Sequence, residues 1–493
     1  MPGRALAGWA TIRAVDSLGT LVSRLGDGAV ATDAATLRDH AVDCWPLALL
    51  RRARGDELAL PAAVIFPACT EDVATALAWA AQTRTAVIPR GAGSGVCGGS
   101  AAAAGSVVLD LSRMSRVTDI DTISRVVHVQ AGTRGDQLED VLGEHGLTVG
   151  HYPQSVGIST VGGWIAASSA GQASTGFGAI EDVLLGLTAV TPPGEILHCR
   201  AVPRSAAGPD LRRLLVGSEG TLAVVTEAVL ACRPRVSEWT WLAWRFPSFA
   251  ALADGLRAAA QAPTGAVIMR GYDEPDAQLS FAALGHSAGC VGILGYPADL
   301  PGLPERTSLA SDLMAGAGAA GDLGPAFGEH WWAHRNDAVQ VYAAIMGPDR
   351  VFGSGVIVDT IEVAGLWSVV PQLHAEIRAA LAVQAEAVVC HLSHLYPAGS
   401  SLYFTFLIRG SDDLDAEARY LAAWDQAARR CAAAGGTLTH HHGVGRLKAG
   451  FLATELGATG MDILTKVKAA IDPAGIMNPG VLLPRPVAAD DSD

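Results

Sequence analysis

Pro89-Arg90-Gly91-Ala92-Gly93-Ser94-Gly95-Val96, with Cys97-Gly98-Gly99-Ser100 behind it, is the stretch on which the reading of the fold turns. It follows Thr85-Ala86-Val87-Ile88, an apolar run that reads as a buried strand, so the glycines begin where a strand ends. Glycine at 91, 93 and 95 removes alternate side chains and admits positive φ, which lets successive backbone N–H groups converge on an anion such as a pyrophosphate. No Gly-Lys-Ser/Thr ending follows, which excludes a Walker A loop. A dinucleotide fingerprint would open a helix, whereas this chain soon enters another strand, Val107-Val108-Leu109-Asp110-Leu111. Two readings stand: a phosphate cradle, or a plain glycine-rich turn.

At 493 residues the chain is long for one core, and two or three domains are expected. A composition of 50% hydrophobic and 17% charged residues suits a well-buried enzyme and excludes wholesale disorder. The net charge of -14 disfavours nucleic acid and anionic membranes as partners. No apolar run reaches the roughly 18 residues of a spanning helix, so no integral membrane segment is expected, and no signal peptide is read at Met1. The eight cysteines form no C-x-x-C pair, which argues against a zinc site and a disulfide scaffold and makes a reducing cytoplasm the simplest compartment.

In order, residues 1–57 read as an N-terminal helical extension and 58–236 as the domain built around the glycine loop. Residues 237–445 read as a cap or substrate domain, 446–483 as a segment returning to the first domain, and 484–493 as an acidic tail. A helix is expected from Thr70 through Ala81, a strand at Val126–Gln130 and a helix over 133–145. Met269 to Asp276 reads as polar and turn-forming, and 314–328 as a loose connection or a mobile gate. Strand, helix, strand, strand, helix over 355–435 is a ferredoxin-like pattern. His440-His441-His442-Gly443-Val444-Gly445 follows; three adjacent histidines cannot all face one point on a strand or helix, so no metal is expected there. A loop that sets one or two imidazoles over a pocket suits proton transfer.

Pro89 to Gly95, Val161-Gly162-Gly163-Trp164, Gly178-Ala179-Ile180-Glu181-Asp182 and Gly217-Ser218-Glu219-Gly220-Thr221, taken as an ordered set, resemble the FAD-binding domain of the p-cresol methylhydroxylase (PCMH) and vanillyl-alcohol oxidase superfamily. The resemblance implies an α+β fold: a PCMH-type FAD-binding domain of two α+β subdomains, and a ferredoxin-like cap with an antiparallel sheet. It implies cofactor contacts at Pro89, Arg90, Gly91, Ala92, Gly93, Ser94, Gly95, Val96, Pro153, Ser155, Thr160, Gly162, Gly163, Trp164, Ser168, Gly178, Glu219, Gly220, Val224 and Asn478. Many members carry a flavin-linked histidine just past the second glycine; Ser94 stands there, so FAD held non-covalently is expected.

The cap motifs Ser393-His394-Leu395-Tyr396, Leu402-Tyr403-Phe404 and His440 to Leu447 look most like the alkylglycerone-phosphate synthase branch and its bacterial relatives. That branch implies Tyr403, His440, His441 and His442 as catalytic groups, with Arg270 and His394 at the substrate; Arg350 is read as a candidate substitute there for an arginine that the branch expects two residues earlier. Where it expects an arginine this chain has Pro348, which donates nothing, and Val363 departs from the branch as well. Two functions fit. One is FAD-dependent oxidation of a small hydroxylated substrate, with a cap imidazole or phenol taking a proton as hydride passes to the flavin. The other is synthase chemistry through a flavin N5 substrate adduct, without net redox. A small-molecule substrate is the expected partner, and a homodimer is the oligomer considered.

Overall fold

Ala63–Ile65 and Val107–Asp110 are buried along their whole length, as strands covered on both faces must be, and they pair in parallel. Val87–Arg90 pairs in parallel with Val107–Asp110, which places the glycine loop at the strand's carboxyl end. In the computed structural model, which describes residues 18–483, Val30–Ala31 closes this sheet on its other edge. The helix Thr70–Thr83 joins two of the strands and buries Val73, Ala76, Leu77 and Ala80, the three- and four-residue spacing of one helix face. A second sheet is wholly antiparallel, in the order Val117–Asp121, Val126–Gln130, Val224–Ala231, Leu184–Thr191, Glu195–Cys199. One core joins the two, with Leu77 and Val107 from the first, Val127 and Leu230 from the second, and Trp164 among them.

The third sheet has seven strands. The expected unit is present as Val356–Leu366, Val370–Ala382, Ala387–Leu395, Gly399–Arg409 and Asp413–Ala433, and three long strands, Trp239–Phe246, Cys290–Pro297 and Ile268–Tyr272, widen it. Alternation along each strand sorts side chains between two faces. One face packs Leu392, Leu402, Phe404 and Ile361 under the helices Phe249–Gln261, Val370–Ala382 and Asp413–Ala433. The other presents Arg270, Tyr272, His391, Tyr403 and Glu362.

Two expectations fail. Met269 to Asp276 is not a polar turn: Ile268–Tyr272 is a buried inner strand, and Asp273 caps the helix Glu274–Ser280 by accepting the Asp276 N–H at 3.0 Å. Nor are residues 314–328 a loose connection. They end the helix Leu303–Gly316, form the edge strand Gly321–Asp322 and begin the helix Ala326–His334. One of their glycines, Gly328, permits close approach, since a Cβ on it would lie 2.5 Å from Trp241, whereas Gly316, Gly318, Gly321 and Gly324 face open space. The first 17 residues and the acidic tail lie outside the described residues.

The N-terminal segment is bound into both halves. Val30–Ala31 joins the first sheet, while Pro46–Arg54 lies against the cap, with Arg51 Nε 3.0 Å from Glu417. Trp45 Nε1 donates to Tyr420 Oη at 3.1 Å, and that hydroxyl donates to buried Asp359 at 2.8 Å. Burial pushes the Asp359 carboxyl up to about 7, against hydrogen bonds from Thr360 N–H, Tyr420 and Trp424. Tyr420→Phe therefore removes one donor from a buried carboxylate and leaves Trp45 without its acceptor. A loss of about 1–3 kcal/mol is expected, read as a lower urea midpoint at unchanged slope; an unchanged midpoint would remove the hydroxyl from the interface.

Candidate active site

The glycine loop offers backbone rather than side chains. Among the described residues none of the amide groups of residues 91–96 donates a hydrogen bond to the protein. Gly93 has φ +69, and a Cβ on Gly91 would lie 2.2 Å from Thr160 Oγ1, so the loop closes against the start of the helix Val161–Ala167 with no room for a side chain. A Cβ on Gly220, at φ +68, would lie 2.8 Å from Pro89. Asn478 ties the returning segment in, its Nδ2 donating to Gly99 O at 2.8 Å and Glu219 O at 2.7 Å, while its Oδ1 is buried without a partner. Unpaired N–H groups in a glycine cradle, beside an orphaned buried oxygen, fit an extended phosphate-bearing cofactor.

Not every expected contact joins this cradle. Trp164 is 2% exposed, packs in the core and donates from Nε1 to Ser159 Oγ; Val224 is buried there too. Gly162 serves helix packing, since a Cβ would meet Ala131 at 2.8 Å. The Arg90 guanidinium folds back over Gly93 to the carbonyl oxygens of Val42 and Ser100. The Glu219 carboxylate is engaged by the Val444 and Gly445 N–H groups at 2.7 and 2.8 Å, and burial raises it to about 7. Ser168 Oγ contacts Glu181 at 3.4 Å, and Gly178 (φ +86) lies against Asp182. Pro153 and Ser155 lie in the turn before the helix, where Ser155 O accepts from Ser159 Oγ. Gly163 N–H caps onto Thr160 Oγ1, and Ala92, Ser94, Gly95 and Val96 remain in the loop proper.

The cap supplies the reactive groups in a row. Register pairs Tyr272 with His391, His391 with Tyr403, and Tyr403 with Glu362, so four adjacent strands each contribute one side chain to the same face. Arg270, two residues before Tyr272, donates from Nε to Tyr272 Oη at 3.0 Å and lies 5.0 Å from the Trp331 ring. It is 7% exposed, and among the described residues no carboxylate pairs with it. A buried guanidinium without a counter-ion is a site for an anion.

Glu362 builds the histidine loop. Its carboxylate accepts the N–H groups of His440 at 2.8 Å and His442 at 2.7 Å and the Thr439 hydroxyl at 2.8 Å, and Lys448 Nζ lies 3.1 Å away. Burial alone would raise its pKa; the Lys448 ammonium, His442 and the bonded N–H groups overcome that and hold it at about 2. Glu219 holds the next turn, where Gly445 (φ +56) passes so near Cys97 O that a Cβ would sit 2.1 Å from it. The loop is thereby clamped between a cap carboxylate and a carboxylate of the glycine-loop domain.

His394 reaches the cluster through a bulge. The ladder slips between Ser393 and Leu395, His394 takes φ +52, and its ring stacks 5.1 Å from His440 and lies tilted 4.6 Å from His441. His394 Nδ1 is 2.7 Å from Ser174 Oγ, His440 Nε2 is 2.8 Å from Tyr396 Oη, and the Nδ1 atoms of His440 and His441 are 3.0 Å apart. His440 and His441 meet within the loop, and His394, from the strand Ala387–Leu395, rather than His442 brings the third ring nitrogen within 4.8 Å of theirs. Burial lowers all four imidazoles, His442 to about 4, so they are neutral near pH 7. Burial likewise pushes Tyr403 up to about 12, which keeps its hydroxyl protonated.

Arg350 does not join them. Its guanidinium makes a bidentate pair with Asp413 at 2.8 and 2.6 Å, and Asp413 also accepts the Gly355 N–H, roughly 20 Å along the strand from Glu362. It is a structural pair rather than a substitute for the arginine missing at Pro348.

Because Glu362 is held at about 2 against an ordinary 4.5, its contribution to stability is complete above pH 4.5 and is lost as the pH falls toward 2. Glu362→Gln leaves the Lys448 ammonium buried without its anion. A loss of about 3–5 kcal/mol is expected near neutrality, with the gap to the wild type narrowing below pH 4.5 in thermal unfolding. A gap constant across that range would show that the charge carries no weight.

Comparison with known proteins joins the two halves of this site. Residues 61–200 match the family model "FAD binding domain", and 237–482 match "FAD linked oxidases, C-terminal domain". An alkyldihydroxyacetonephosphate synthase of Trypanosoma brucei brucei is 30% identical over 463 residues, covering 86% of this chain and 74% of that protein. The glycolate oxidase subunit GlcD of Bacillus subtilis is 27% identical, covering 85% and 88%. A solved alkyldihydroxyacetonephosphate synthase superposes with TM-score 0.77 at 24% identity over 94% of this chain and 84% of that one, and p-cresol methylhydroxylase with 0.75 at 15% over 96% and 97%. FAD is thus the group that the glycine cradle fits, and the chain belongs to the FAD-linked oxidase family that includes both alkyldihydroxyacetonephosphate synthases and oxidases.

Proposed function

We propose that the chain is an FAD-dependent oxidoreductase of a small hydroxylated substrate that carries negative charge. The observation that carries this reading is Arg270, a buried guanidinium without a carboxylate partner, on the same face as Tyr403 and neutral imidazoles. Residues 91–96, with Thr160, Gly163 and Asn478, would hold the FAD non-covalently, Ser94 standing where a linking histidine is found in relatives of that type. Bound there, FAD supplies a two-electron acceptor. The protein's own part is to seat the anion on Arg270, to donate a hydrogen bond from Tyr403, and to accept a proton at a neutral imidazole, with His441 and His442 of the histidine loop 6.0 and 5.5 Å from the Tyr403 ring. Cytoplasmic residence and a homodimer belong to the same reading.

A second reading, ether-lipid synthesis without net redox, is supported by the 30% identity to the trypanosomal synthase and by Tyr403 with His440 to Gly445. Against it stands Pro348, with Arg350 committed to Asp413. A missing charged hydrogen-bond partner weakens binding by about tenfold to a hundredfold. The test is anaerobic mixing with hydroxylated acids beside an exchange assay with acyl-glycerone phosphate and labelled fatty alcohol. Lasting flavin bleaching with negligible exchange is expected; exchange without bleaching would reverse the order of the readings.

His442→Ala and Tyr403→Phe are each expected to retain FAD and to lose about a hundredfold or more in turnover, the scale of a positioned acid or base. Loss of FAD at normal specific rate would make them structural. Acid precipitation is expected to leave a colourless pellet and a yellow supernatant; colour in the pellet would show a covalent bond.

A further inference from the structure

Asp276 and His391 lie on the substrate face, and the reading above gives them no role. Asp276, in the helix Glu274–Ser280, is 5% exposed; its Oδ2 lies 3.1 Å from His391 Nδ1, and its Oδ1 accepts from Ser280 Oγ at 2.8 Å. A carboxylate at Nδ1 fixes the tautomer, leaving the proton on Nδ1 and a lone pair on Nε2 at the far side of the ring. Among the described residues Nε2 has no hydrogen-bond partner. The ring stacks on Tyr403 at 4.8 Å and 17°, and lies 5.5 Å from Tyr272, whose hydroxyl accepts from Arg270.

The other imidazoles of this face lack such support. His440 and His441 meet each other Nδ1 to Nδ1, His394 meets a hydroxyl, and His442 Nδ1 stands 3.8 Å from Glu362, beyond a hydrogen bond. A base that takes a proton in a dry site needs a counter-charge to keep it, and His391 has one at bonding distance.

Resting on the oxidoreductase reading, we propose that His391, positioned by Asp276, is a further acid–base residue, taking the hydroxyl proton of a substrate whose anionic group lies against Arg270. The substrate O–H bond breaks and its proton joins Nε2. The hydrogen and electron pair of the adjacent C–H bond go to the FAD acceptor, and the Nε2 proton passes to water when the oxidised product leaves. Asp276 stays ionised throughout and stabilises the imidazolium. Burial and the Arg270 charge lower the His391 pKa, while Asp276 and Asp273 pull it up; His394, His441, Tyr272 and Tyr403 also face the ring.

The test uses the FAD-loaded protein with 15N-labelled histidine, reading the His391 tautomer by nitrogen–proton correlation, together with the pH dependence of anaerobic flavin reduction by glycolate and lactate. The expected tautomer is Nδ1–H, lost in Asp276→Asn. Reduction should fall toward acid pH in the wild type, should fall at lower pH in Asp276→Asn, and should drop about a hundredfold in His391→Gln with FAD retained. An Nε2–H tautomer in the wild type, or His391→Gln reduced as fast as the wild type, overturns the dyad while leaving the oxidoreductase reading intact. Failure of both acids to reduce the wild-type flavin overturns that reading and this proposal's substrate with it.

Discussion

A carboxylate with no solvent exposure has to be compensated, and the way Glu362 is compensated gives the cap its chemistry. One oxygen binds the His440 amide; the other gathers the His442 amide, the Thr439 hydroxyl and Lys448. Breaking a buried pair of this kind costs several kcal/mol, so the loop has one conformation. That conformation points the His440 ring to Tyr396 and His441, and carries Gly443 and Gly445 onto Glu219 and Cys97. The same residues thus close the cap onto the glycine-loop domain.

The remaining groups follow from sheet geometry. A row of side chains across an antiparallel sheet is rigid because each backbone is pinned by its neighbours, and Tyr272, His391, Tyr403 and Glu362 occupy such a row. A bulge adds His394 from a position that would otherwise face the helices. The opposite side is largely apolar, with Asp359 bonded to Tyr420 and Trp424 of the helix Asp413–Ala433, and the helices packed there leave the first face for ligands.

The glycine loop, the order of its flanking strands and the ferredoxin-like core were legible in the sequence because each is carried by a local pattern, whereas the pairing of Tyr403 with the histidine loop came only with the family resemblance. Small residues do not by themselves signal motion: those over 314–328 end one helix, form an edge strand and begin another helix, and Gly328 packs on Trp241. Arg270 was legible, but its strand was hidden by Gly271, Asp273 and Pro275, which look like a turn until the helix that Asp273 caps is seen. Glu362 and Asp359 both stand in one largely apolar strand, three residues apart and so on opposite faces; only the register shows that Glu362 faces away from the helices. His394 came with the resemblance, though the bulge that turns it into the site leaves no local pattern, and the Asp276–His391 pair had no signal, since it is a contact across 115 residues. Arg350 failed for a plain reason: nearness in sequence to Pro348 says nothing of direction, and Asp413 decides it.

The functional reading rests on an anion seated against Arg270 beside the flavin. The most direct measurement is a titration of the holoprotein with oxalate, an unreactive dianion, followed by the flavin absorbance in the wild type, Arg270→Lys and Arg270→Ala. A saturable perturbation is expected in the wild type, weaker in Arg270→Lys and absent in Arg270→Ala at the same FAD content, in keeping with a loss of about tenfold to a hundredfold in affinity for each missing charged hydrogen bond. An equal perturbation in all three, or none in the wild type, would contradict it.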